Sequence, residues 1–192
     1  MKVIFLDIDG VLNCSAYRRQ KLRQGDYSVT IESQKLQRLK SLVMKTGATI
    51  VLSSSWRKYW MREGSIDGAG KIIEATFALE GLSIADKTPV LENGSRSLEI
   101  EQWLKDKGYI EQYVILDDND FLWSKMLRSH WVCCPGETGL TDHLVEVAVN
   151  VLKGKLLTIE EFSVPLSRGL LGRIKKKCLV LLLGKTVNKK DK

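Results

Sequence analysis

Val3-Ile4-Phe5-Leu6-Asp7-Ile8-Asp9-Gly10 is a short run of β-branched and aromatic residues that stops at two acids and a glycine. It reads as a strand buried on both faces and leading into a turn. The same pattern returns twice: Ala48-Thr49-Ile50-Val51-Leu52 stops at Ser53-Ser54-Ser55, and Tyr113-Val114-Ile115-Leu116 stops at Asp117-Asp118. Between the first two runs, residues 32–45 place Leu36, Leu39, Leu42 and Val43 at spacings of three and four, and Gly47 follows, which predicts a helix with one apolar face and a glycine stop. Residues 97–107, with Leu98, Ile100, Trp103 and Leu104, predict the helix that feeds the third strand. A short strand over 131–133 and an amphipathic helix over 140–152 complete the alternation, with a helix over 72–79 and a minor strand over 82–85 in the glycine-punctuated stretch between. Strand, helix, strand in repetition predicts an α/β fold with a doubly wound, mainly parallel sheet.

In such sheets the ligand crevice lies beyond the carboxyl ends of the strands. The topology therefore brings Asp7 and Asp9, Ser53, and Asp117 and Asp118 to one rim. Carboxylates crowded without matching cations repel one another, and a hard divalent cation with oxygen ligands, magnesium above all, relieves that repulsion.

The bulk properties narrow the class. The 192 residues carry 44% hydrophobic and 28% charged side chains, as a soluble globular chain with one substantial core does. No apolar run is long enough to span a membrane, and the four cysteines show neither a CxxC pair nor a repeated spacing, so a reducing, cytoplasmic setting is expected. The net charge of +7 is unevenly placed. From Arg168 to Lys192 nine Lys and Arg face one acid, a net of +8, which leaves the rest of the chain at −1. Residues 1–153 read as the folded domain and residues 154–192 as a basic, Leu-rich extension able to contact nucleic acid, acidic lipid or a protein, or simply to close the domain.

Phe5-Leu6-Asp7-Ile8-Asp9-Gly10-Val11-Leu12-Asn13 resembles the first motif of the haloacid dehalogenase (HAD) superfamily of phosphohydrolases. Ile50-Val51-Leu52-Ser53 resembles the second motif and Val114-Ile115-Leu116-Asp117-Asp118 the fourth, while Arg96 stands in the place of the basic third, with Lys87 as the alternative base. More narrowly, Ser54-Ser55-Trp56-Arg57, Arg96-Ser97-Leu98-Glu99-Ile100 and Gly139-Leu140-Thr141 resemble the HAD domain of Swiss Army Knife RNA repair proteins. The resemblance implies a HAD-like Rossmannoid fold and a magnesium-dependent phosphatase. Asp7 is then the nucleophile that forms an aspartyl-phosphate, and Asp9 the general acid and base. Ser53 would donate to a phosphoryl oxygen, Arg96 would orient Asp7 and stabilise the equatorial oxygens, and Ser54 and Arg57 would touch substrate. The metal ligands would be Asp7, the backbone carbonyl of Asp9 and Asp118, with Asp117 as ligand or outer partner.

The flap over residues 14–31 and the interval 58–95 are both short for a separate cap, so an essentially capless, open site is expected. An open site admits large substrates, and the resemblance makes phosphorylated nucleic-acid ends or nucleotides the expected class. A receiver domain also pairs acids after its first strand, but its phosphate-accepting Asp ends a later strand, where this chain has Ser53. The alternative function is a catalytically idle HAD-like module that docks nucleic acid or membrane through the basic tail.

Overall fold

The structure is a computed structural model that describes residues 1–28, 30–65, 68–92 and 94–157. The basic, Leu-rich run after Arg168 thus lies outside the described residues. Five strands form one sheet: β1 (Lys2–Leu6), β2 (Thr49–Leu52), β3 (Ile84–Lys87), β4 (Gln112–Asp117) and β5 (Trp131–Cys133). Their order is β3-β2-β1-β4-β5 and every pairing is parallel. The helices are α1 (Ser15–Arg23), α2 (Ser33–Thr46), α3 (Gly68–Leu79), α4 (Arg96–Lys107), the single turn α5 (Lys125–Arg128) and α6 (Asp142–Leu152).

The period of two along each strand divides the core. Ile4, Leu6, Ile50, Leu52, Val114 and Leu116 face one side, against Leu36 and Leu39 of α2, Phe77 of α3 and Ala148 of α6. Val3, Phe5, Val51, Tyr113 and Ile115 face the other, against Ile100 and Trp103 of α4 and Leu127 of α5. Helices on both faces leave the central strands β1, β2 and β4 buried on both sides, which is why they are continuous apolar runs rather than alternating ones. The chain winds from β1 outward to β2 and β3, then returns through α4 to place β4 on the other flank of β1. β1 and β4 are therefore the pair at which the strand order reverses, and the carboxyl ends of such a pair open a crevice.

Local chemistry sets the boundaries. Gly47 takes the left-handed conformation (φ 66°) and closes α2, as its position predicts. Ser95 caps α4 by accepting from the Leu98 amide, so the helix begins at Arg96, one residue before the expected start. The minor strand lies at Ile84–Lys87 rather than over 82–85, and its pairing with β2 shifts register between Ile50 and Val51. It is an edge strand, and Asp86 on it is paired with Lys107. Helices α1 and α5 were not expected: α1 buries no residue and α5 is one turn long, so neither has an apolar periodicity to read. The helix and strand of the 58–95 interval, α3 and β3, belong to the main fold, and no helix among the described residues is long and apolar enough to cross a membrane.

Candidate active site

The parallel ladder continues one residue past β1 and aligns the strand ends. The Asp7 amide donates to the Leu116 carbonyl (3.0 Å), the Ser53 and Ser54 amides both donate to the Leu6 carbonyl (2.9 and 3.2 Å), and the Cys134 amide donates to the Asp117 carbonyl (3.0 Å). Gly10 then turns the chain at φ +79°. A Cβ there would lie 2.4 Å from Asp118 Cγ, and one on Gly136 would lie 2.7 Å from Asp118 Oδ2, so two glycines hold open the space this carboxylate occupies.

Asp7, Asp117 and Asp118 each offer an oxygen within 4.8 Å of the others. Arg96 stands against two of them: its Nη1 lies 3.1 Å from Asp7 Oδ1 and 2.6 Å from Asp117 Oδ2. Its guanidinium also covers the ring of Phe121, 4.7 Å from the centroid. Three carboxylates against one guanidinium leave a formal charge of −2 in a space where Asp117 is wholly buried and Asp7 nearly so. The electrostatics follow. Burial, reinforced by the charge of Asp7, raises Asp117 to about 7 and Asp118 to about 6. Burial also raises Asp7, against the opposing pull of Arg96.

The donor set fits magnesium. It is all oxygen, it is short of two positive charges, and Asp118 is half open to the cavity. Asp117 is already committed, because Oδ2 accepts from Arg96 and Oδ1 accepts from the Asn119 amide at 2.9 Å. It therefore fits the outer partner rather than a direct ligand.

Several expected residues stand elsewhere. The Asp9 carboxylate lies outside the three-acid cluster. Its Oδ2 accepts from Trp56 Nε1 (3.0 Å) and its Oδ1 from Asn13 Nδ2 (2.8 Å), which aims it into the cavity beside Asp7. Arg57 is not among the residues that line the cavity: it is 4% exposed, it pairs with Glu99 at 2.6 Å, and its Nη1 donates to the carbonyls of Ser53 and Ser54, both at 2.9 Å. The cost of burying its charge is met by that carboxylate and those carbonyls, so the side chain clamps the serine loop from below. Ser54 is also buried, and its hydroxyl is a hydrogen-bond partner of Asp7. Ser53 is fully buried and its hydroxyl has no hydrogen-bond partner among the described residues, while Ser55, which was not singled out, lines the cavity. Lys87, the alternative third-motif base, stands away from the acids: its ammonium donates to the carbonyls of Arg57 (3.0 Å) and Trp60 (2.6 Å), whereas Arg96 contacts Asp7 and Asp117.

Above the acids opens a cavity of about 610 Å³, lined by Asp7, Asp9, Gly10, Asn13, Arg96, Asp118 and Gly136 at its floor and by residues of the 15–30 segment along its wall. Asn13 and Gly136 had escaped the sequence reading as site residues. Asn13 and Trp56 both lie inside motifs, and the place of Trp56 beside Asp9, like that of Gly136 beside Asp118, depends on contacts between distant segments.

The family described as the HAD domain in Swiss Army Knife RNA repair proteins matches this chain over residues 3–145. No curated protein and no solved structure matches it.

Proposed function

The chain belongs to the family of HAD domains in Swiss Army Knife RNA repair proteins, and from that premise we propose a magnesium-dependent phosphatase that works through an aspartyl-phosphate on Asp7. Membership supports a HAD-type phosphatase or hydrolase with a phosphorylated substrate. The finer reading rests on one observation, the uncompensated charge of −2 at Asp7, Asp117 and Asp118 beside a single guanidinium.

When bound there, Mg2+ supplies the missing positive charge and screens the phosphoryl oxygens. Asp7 and Asp118 would hold it, with Arg96 fixing Asp7 and itself held by Asp117. The Asp7 carboxylate, held by Arg96 and Ser54, attacks phosphorus in line, and its oxygen forms the new P–O bond as the bond to the leaving oxygen breaks. Asp9, oriented by Trp56 and Asn13, gives its proton to that leaving oxygen and then takes one from the water that cleaves the acyl phosphate. We assign the contacts to phosphoryl oxygen to the serine run: Ser55 lines the cavity, and Ser53 carries the hydroxyl whose hydrogen bond is still open. Arg96 covers the charge that develops on the equatorial oxygens.

The substrates in this reading are phosphorylated nucleic-acid ends or nucleotides in a cytoplasmic setting. The extension over 154–192 adds salt-sensitive attraction for nucleic acid through its charge. Phosphate release from an aryl phosphate, from nucleotides and from end-phosphorylated RNA tests the whole. Release that requires Mg2+ and disappears in Asp7→Asn is expected. Binding of RNA with no release from any of these substrates would favour the idle binding module.

A further inference from the structure

Helix α1 poses a question that the phosphatase reading leaves unanswered. Its sequence, Ser-Ala-Tyr-Arg-Arg-Gln-Lys-Leu-Arg, buries no residue, so packing on the core does not explain why it is ordered where it is. Backbone bonds pin its start instead: the Ser15 amide donates to the Gly136 carbonyl (2.9 Å) and the Ala16 amide to the Glu137 carbonyl (3.2 Å). Arg19 adds an ion pair with Glu137. The helix is thus anchored to the loop that abuts Asp118, and Tyr17, Arg18 and Lys21 line the same cavity as the acids, joined by Tyr27 from the turn that follows.

The charges on this wall are opposite to those on the floor. Asp26 also lines it, but Lys21 matches Asp26 at 2.6 Å, and Ser28 donates to the same carboxylate. Arg18 is exposed and has no ion-pair or hydrogen-bond partner for its side chain among the described residues, so it is the unmatched cation of the wall. Tyr27 is 81% exposed, a large aromatic face left in water. The cavity, at about 610 Å³, is also of the size that takes a nucleotide-sized ligand rather than a lone phosphate.

We propose that α1 and the turn to Tyr27 form a second subsite, in which Arg18 takes a further phosphate of the substrate and Tyr27 stacks on its base. The inference rests on the phosphatase reading and names its substrate class: a phosphomonoester whose leaving group carries its own phosphate and a nucleobase. A nucleoside bisphosphate and the phosphorylated end of a single-stranded oligonucleotide share that chemistry. A guanidinium meets a phosphate with two parallel donors, and stacking on an aromatic tolerates any base.

The test is equilibrium binding to the full chain carrying Asp7→Asn, with Mg2+ present so that probes bind but are not consumed. The probes are adenosine 5′-monophosphate, adenosine 3′,5′-bisphosphate, the same bisphosphate without its base, and ten-nucleotide RNAs phosphorylated at either end. The bisphosphate is expected to bind about tenfold tighter than the monophosphate, and Arg18→Gln to erase that ratio. Tyr27→Ser should cost the base-bearing bisphosphate about tenfold and the abasic one little. Because neither side chain is buried, both variants keep the fold, and ratios between probes cancel the unspecific pull of the basic tail. An oligonucleotide that binds at least as tightly as the bisphosphate identifies a chain end as the source; one that binds far more weakly identifies the free bisphosphate. Equal binding of mono- and bisphosphate, or a ratio unmoved by Arg18→Gln, overturns the subsite. The two readings fail separately: hydrolysis by the native chain without the preference removes only the subsite, and the preference without hydrolysis removes only the phosphatase.

Discussion

Replacing Arg96 by Met keeps most of the side-chain volume and removes the one cation among the acids. In the native chain its Nη1 serves Asp7 at 3.1 Å and Asp117 at 2.6 Å, with little of the group exposed. Removing one partner of a buried pair leaves an uncompensated charge, a loss of about 3–5 kcal/mol, which in a domain of this size lowers Tm by on the order of 10 °C. The loss must depend on pH, and its sign follows from the acids. Asp117 titrates at about 7 and Asp7 is raised above its ordinary value. A raised carboxyl supports the fold while protonated and ceases to do so as pH rises through its folded value, so the metal-free fold weakens from about pH 4 to above neutrality. Without Arg96 both acids rise further, and the weakening steepens. Urea unfolding with a chelator present should therefore show a larger loss near pH 8 than near pH 5, where Asp117 is neutral and no longer needs a cation beside it. Mg2+ should restore part of the loss near pH 8. An equal loss at both pH values, or a larger one at the lower, would refute the charge argument.

Three further substitutions separate the roles of neighbouring groups. Gly136→Ala puts a Cβ 2.7 Å from Asp118 Oδ2 at a backbone φ any residue tolerates, so the carboxylate must swing aside; Mg2+ affinity by calorimetry should fall about tenfold or more with Tm unchanged. Ser53→Ala deletes a buried hydroxyl that has no partner, and stability should change by less than about 0.5 kcal/mol while turnover falls about a hundredfold; unchanged turnover would return Ser53 to a structural role. Arg57→Met leaves Glu99 buried without its partner and should cost about 3–5 kcal/mol, much of which the double variant with Glu99→Met should recover; a double variant as unstable as the single one would mean that the clamp on the serine loop, not the charge pair, carries the stability.

The architecture was legible because it depends on local pattern. Strands buried on both faces must be continuous apolar runs, a helix between them must show spacings of three and four, and the polar residues where those runs stop must fall on one rim. That reasoning reached β1, β2, β4 and β5, whose fold the family match supports, and the structure brings Asp7, Asp117, Asp118 and Arg96 together where those runs stop. Which partners each side chain meets is decided by contacts between distant segments. Arg57 and Lys87 look like free cations in the sequence, yet one is neutralised by Glu99 and the other caps the carbonyls of Arg57 and Trp60. Three consecutive serines are chemically alike, and only the hydrogen bonds from the Ser53 and Ser54 amides to the Leu6 carbonyl decide which hydroxyl meets Asp7, which is left unpaired and which faces the cavity. Asp9 leaves the acid cluster because the chain turns at Gly10 and Trp56, from the segment after the neighbouring strand β2, takes one of its oxygens. Helix α1 has no apolar face to announce it and is held by the loop at Gly136. Hydrophobic periodicity is written residue by residue along the chain, whereas the pairing of buried charges and hydrogen bonds exists only once the fold has brought their partners together.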